Sequence, residues 1–149
     1  MDANGLRAAL KYHFTGQGLQ EKKIPELKLD TVFERDGELW GCELCPDKDT
    51  AMAYYGTFEA AMQNLVDARR SKSDLNLGLA VAFASTANGE THSYRKPLRK
   101  YSNSSVFEDL TLHLLLVSST EEINMLKPGE VNAFLRDLNK WIAARKKES

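Results

Sequence analysis

Two acids thirteen residues apart raise the first chemical possibility in this chain: Asp30 and Glu43 in LKLDTVFERDGELWGCELCPD. Between them sits Asp36-Gly37, a dipeptide that favours a two-residue type I′ turn because both positions take positive φ. Folding residues 27–45 about that turn pairs Arg35 with Glu38, Phe33 with Trp40, Thr31 with Cys42, Asp30 with Glu43 and Lys28 with Cys45. Side chains alternate along strands. One face then carries Leu29, Thr31, Phe33, Trp40, Cys42 and Leu44, a core pattern. The other carries Lys28, Asp30, Val32, Gly41, Glu43 and Cys45. Carboxylates directly opposite each other cost up to about 1 kcal/mol. A shared proton or a divalent cation between them removes that cost. Mg²⁺ or Mn²⁺ suits such a pair, because a hard cation takes one or two carboxylates plus substrate phosphate. The Leu44 carbonyl is a candidate third oxygen ligand. The plainer reading is two solvated acids balanced by Lys28 or an arginine.

Other residues carry weaker signals. Cys42-Glu43-Leu44-Cys45 has CxxC spacing, but residues three apart on a strand point to opposite faces. Redox pairs of this spacing sit at helix N-termini, and tetrahedral zinc wants two more soft ligands. His13, His92 and His113 share no metal-like spacing. Cys42 therefore reads as core and Cys45 as a small residue lining the site. Tyr94, Arg95, Lys96, Arg99, Lys100 and Tyr101 put four cations between two tyrosines, which suits phosphates and stacked bases. A solvated basic loop fits the same residues. His113 lies in an apolar run and reads as a satisfied core histidine, and Trp40 and Trp141 read as core.

The elements that must position these groups follow from periodicity. Leu6, Ala9, Leu10, His13 and Phe14 recur at helical spacing and predict a helix over residues 4–16, stopped by Gly16-Gln17-Gly18. After the hairpin, Tyr54, Phe58, Ala61, Met62, Leu65 and Arg69 share a helix face, with Asp49 or Thr50 as cap. Leu77–Ala84 is almost wholly apolar and predicts a strand buried on both faces, parallel to its neighbour through a right-handed crossover. Residues 85–105 read as a long polar loop, a kind that often carries function. Thr111–Val117 predicts another buried strand. Ser119 and Glu122 have capping-box spacing and predict a short helix. Pro128 opens a last helix with an apolar stripe of Val131, Phe134, Leu135, Leu138 and Trp141 or Ile142. The fold class is α/β, a mixed sheet flanked by helices, in one domain spanning residues 1–149.

The segment from Leu27 to Asp47 resembles the core of the PD-(D/E)XK superfamily, which includes restriction endonucleases and junction resolvases. That pattern is an Asp on one strand, a hairpin, then acid-x-Lys on the next strand. Asp30 matches the first acid and Glu43 the second. The helix and apolar strand that follow match the family's α-β-β-α-β order. The resemblance covers roughly Gly5 to Ala84, with the motif in residues 27–84. It implies metal-dependent cleavage of DNA or RNA, with Asp30, Glu43 and Leu44 as metal ligands. Position 45 departs from the pattern, with Cys where the family has the Lys that orients or activates water. Lys28, across the hairpin from Cys45, is a candidate substitute, and Lys48 a more distant one. Some family members carry a helix Gln, which Gln63 matches. Without the lysine, the alternative is a non-cleaving module of the same fold that binds nucleic acid or protein.

Composition narrows the classes. With 149 residues, 42% apolar and 28% charged, the chain fits one soluble globular domain. A net charge of −1 excludes a wholly basic nucleic-acid coat but permits a local basic patch. Two cysteines make no disulfide framework. No apolar run nears the ~20 residues a membrane helix needs, and the N-terminal residues do not resemble a signal peptide. These readings point to the cytoplasm, no membrane partner, and a homodimer as one assembly the sequence permits.

Overall fold

The computed structural model describes residues 1–48, 50–82, 100 and 105–137. It is an α/β structure built on one six-stranded mixed sheet. The first helix, α1 (Ala3–Thr15), is capped by Asp2, whose side chain accepts from the Gly5 N–H at 2.8 Å. Its stripe of Leu6, Ala9, Leu10 and Phe14 is fully buried. A two-residue strand, β1 (Gln20–Glu21), precedes the hairpin of β2 (Thr31–Arg35) and β3 (Glu38–Cys45). The hairpin register is the one its turn dictates: Arg35 pairs with Glu38, Phe33 with Trp40 and Thr31 with Cys42. Asp36 at φ 50° and Gly37 at φ 85° both take the left-handed conformation the type I′ turn requires.

The long helix α2 (Ala51–Ser71) follows, capped by Thr50 through the Ala53 N–H. It returns the chain to β4 (Asn76–Ala82), which lies parallel to β3. A short helix, α3 (Val106–Asp109), leads to β5 (Leu112–Ser119), parallel to β4. The Ser119–Glu122 spacing does not start a helix. β5 runs through Ser119, turns at Thr120-Glu121, and returns as the antiparallel strand β6 (Glu122–Leu126). The Ser119 hydroxyl accepts from the Glu121 N–H inside that turn, so it closes a hairpin rather than capping a helix. The last helix, α4 (Pro128–Arg136), buries Val131 and Leu135. Leu138, Trp141 and Ile142 lie outside the described residues.

The sheet order is β1-β2-β3-β4-β5-β6, with both faces covered. On one face α1 packs over Phe33, Trp40, Cys42, Leu44, Ala80 and Leu115. On the other, α2 and α4 pack over Cys45, Leu77, Leu79, Val81, Leu114 and Leu116. Cys42 and Cys45 thus face opposite layers, and burial pushes both thiols up. Leu29 departs from strict alternation. β2 begins only at Thr31, and Leu29 packs on the α2 side, against Gly41, where any Cβ would collide with it.

Candidate metal centre

The acids meet where the hairpin ladder gives out. Pairing of β2 with β3 ends at Thr31–Cys42, so Asp30 is no longer held by strand hydrogen bonds. Instead it interlocks with β3 through side chains. The Asp30 N–H donates to Glu43 Oε2 at 2.8 Å, and the Leu44 N–H donates to Asp30 Oδ2 at 2.9 Å. Asp30 is exposed, whereas Glu43 is 2% exposed. The expected juxtaposition of the two acids is therefore present, made by carboxylate–backbone bonds rather than a continued ladder.

A third group joins them from α2. Asn64 Nδ2 donates to Glu43 Oε1 at 2.5 Å. Sequence reasoning singled out its neighbour Gln63, which is exposed and donates to Asp67 within the helix at 3.0 Å, away from the acids. The signal for Asn64 was present: it lies three residues after Ala61 and four before Ala68, both on the buried stripe. It therefore faces the sheet at the margin of the apolar core.

This packing sets the electrostatics. Burial, then a carboxyl–carboxyl contact with Asp30, pushes Glu43 up to about 8. The Asn64 amide opposes that rise by bonding the ionised form, as does the Asp30 N–H. Raised in this way, Glu43 favours its protonated form at neutral pH.

Cys45 has no exposed surface and packs on the α2 face, on the same side of β3 as Glu43. Lys28 lies beyond the end of the ladder and is exposed. It lines a hollow of about 220 Å³ with Glu26, Leu27, Asn64, Asp67 and Ser71. A roomier hollow of about 520 Å³, lined by Tyr12, His13, Gln17 and Glu121 among others, lies on the α1 side, away from the acids. His113 is a satisfied, half-buried residue, its Nδ1 3.3 Å from the Leu77 carbonyl and its ring against Trp40. Burial lowers its pKa.

Tyr94, Arg95, Lys96, Arg99 and Tyr101 fall outside the described residues. Lys100, from the same stretch, donates to the Tyr55 hydroxyl at 2.6 Å and pairs with Glu59 at 3.1 Å on α2.

Oxygen donors of this kind suit a hard cation. The Asp30 and Glu43 carboxyl groups, brought together by these backbone bonds, are residues that could hold Mg²⁺ or Mn²⁺. Among the described residues no three His, Cys, Asp or Glu side chains converge, so the remaining ligands would be main-chain oxygen, water and substrate. Nor is any helix among them long and apolar enough to cross a membrane. Comparison with protein-family models, curated proteins and solved structures found no match.

Proposed function

We propose that the chain is a divalent-metal-dependent nuclease of the PD-(D/E)XK kind, acting on a phosphodiester of DNA or RNA. One observation carries this reading: Asp30, just ahead of β2, and Glu43, on β3, interlock at the frayed end of the hairpin. That arrangement sits in an order of hairpin, helix and parallel strand, β2-β3-α2-β4, which agrees with the resemblance.

Asp30 and Glu43 would hold Mg²⁺ or Mn²⁺, with the Leu44 carbonyl as third ligand. In a strand, a residue's N–H and C=O point toward the same neighbour. The Leu44 N–H points at Asp30, so its carbonyl faces the same gap. The cation would supply Lewis acidity, polarising the phosphodiester and making the attacking water more acidic. Asn64 fixes the Glu43 carboxylate from behind, and burial keeps that carboxylate in one orientation. The basic stretch from Tyr94 to Tyr101 would contact the substrate backbone.

A second reading rests on Cys45. A fully buried thiol stands where the family has its lysine, which favours a non-cleaving module that binds nucleic acid or protein. Incubation with labelled single- and double-stranded DNA and RNA in Mn²⁺ decides between them. Cleavage lost in an Asp30→Ala/Glu43→Ala control supports the nuclease. Binding without cleavage supports the module, and cleavage equal in both proteins rejects the site.

A further inference from the structure

We infer that Lys23, on the segment ahead of the hairpin, is the cation that holds the substrate phosphate beside Asp30. This rests on the nuclease reading and deepens it, because it moves the positive charge of the site from Lys28 to a different residue. The family pattern places a lysine on β3, and hairpin register pointed to Lys28. Neither describes what shares space with Asp30.

The course of residues 22–30 decides the matter. The Lys22 N–H donates to the Val32 carbonyl at 2.8 Å, the last bond tying this segment to β2 before it leaves the edge. The chain then turns through Ile24 and Pro25, with the Leu27 N–H donating to the Ile24 carbonyl at 3.0 Å. This wrap borders an open hollow of about 330 Å³ against Leu29, Asp30, Thr31 and Val32. Glu21, Lys22 and Lys23 are its other charged lining residues. Lys28 does not line it. Lys28 lies in the neighbouring hollow with Asn64 and Asp67, and Leu27 borders both. Of the two hollows, only the one lined by Lys23 is also lined by Asp30.

Of the two cations in the Asp30 hollow, Lys22 is engaged, its ammonium 2.5 Å from Glu34. Among the described residues no ion pair or hydrogen bond occupies the Lys23 side chain, and Glu21 makes no ion pair with it. An ammonium carries three donors on a flexible stem and suits phosphate oxygens as a point charge. Ile24, Pro25, Leu27 and Leu29 line the same hollow.

The test uses the full chain and a fluorescein-labelled single-stranded DNA of about 12 nucleotides, a length of the order one binding site covers. Ca²⁺ replaces Mg²⁺ so that binding is read by anisotropy, and cleavage is measured separately in Mn²⁺. Lys23→Gln should weaken binding about tenfold for any sequence and reduce the salt slope by about 0.7. Lys23→Arg should restore most of the affinity, while Lys28→Gln should stay within about twofold of wild type, as expected for a residue off the phosphate path. Wild-type affinity in Lys23→Gln, or an equal loss in Lys28→Gln, overturns the assignment. If the wild type binds and cleaves while Lys23→Gln does both equally well, only this inference falls. If the wild type neither binds nor cleaves, the nuclease reading falls and takes the inference with it.

Discussion

Asp30 and Glu43 are joined crosswise: the Asp30 N–H donates to the Glu43 carboxylate, while the Asp30 carboxylate accepts from the N–H of Leu44, the residue after Glu43. Among the described residues, the clasp closes the mouth of the hairpin with two acids and no ion pair to either. Burial first, and the Asp30 carboxyl second, raise Glu43 to about 8.

Stability should therefore fall as pH rises. In the unfolded chain Glu43 titrates near 4.5, so between 4.5 and about 8 the folded state holds a proton that the unfolded state has lost. The stabilising contribution is complete below 4.5, declines through that window, and changes no further above about 8. One such proton gives a slope of up to about 1.4 kcal/mol per pH unit. Urea denaturation at several pH values measures it. Glu43→Gln, which cannot titrate, should flatten the curve across the window. An unchanged slope in Glu43→Gln would place the proton elsewhere.

Asn64 works against that proton. Its amide bonds the Glu43 carboxylate across the helix–sheet interface, favouring the ionised form. Removing it should cost about 1–3 kcal/mol where Glu43 is charged and less where it is protonated. Asn64→Ala should thus be more destabilised relative to wild type at pH 9 than at pH 5. Paired denaturation curves test this, and a penalty independent of pH would mean that Asn64 contributes packing alone.

Much of this centre was legible because a two-residue turn with period-2 strands leaves no freedom in register. Asp36-Gly37 placed Thr31 opposite Cys42, and one more step put Asp30 beside Glu43. That step worked although the ladder had ended, because side-chain bonds replaced the strand bonds. One residue further back the same extrapolation failed: Leu29 turned to the α2 face, where Gly41 leaves room for it. Ser119–Glu122 misled for a different reason. A serine followed by an acid can close a hairpin as readily as cap a helix, and local spacing does not choose between them. Asn64 was missed by one position because a family pattern drew attention to Gln63, whereas a helical step of ~100° per residue decides which of two neighbours faces the sheet.

Metal binding should be visible without any substrate. A ligand that binds only the folded state at one hundred times its dissociation constant adds about 2.7 kcal/mol. For a domain of this size that corresponds to a rise in Tm of roughly 5–10 °C. Mn²⁺ should produce such a rise, EDTA should reverse it, and Asp30→Asn should abolish it while keeping an oxygen for the Leu44 N–H. The measurement is thermal unfolding followed by fluorescence. A rise of equal size in Asp30→Asn would place the ion at another site.

Position 45 offers the most direct test of catalytic competence. Cys45 lies on the Glu43 side of β3, and the charges of Glu43 and Asp30 both act on its thiol. A lysine there would enter an apolar layer, at a desolvation cost, but beside two acids that favour its charged form. Cys45→Lys should therefore fold, with some loss of stability, and place an ammonium against the acid pair as the family pattern requires. If the metal centre is competent, Mn²⁺-dependent cleavage should rise about a hundredfold, the lower end expected of a positioned acid–base group. Circular dichroism establishes that the variant is folded, and Asp30→Ala in the same background should remove the gain. A folded Cys45→Lys that cuts no faster than wild type would mean that the acid pair is a structural clasp, closing the hairpin through its bonds to the Asp30 and Leu44 N–H groups rather than through a metal ion.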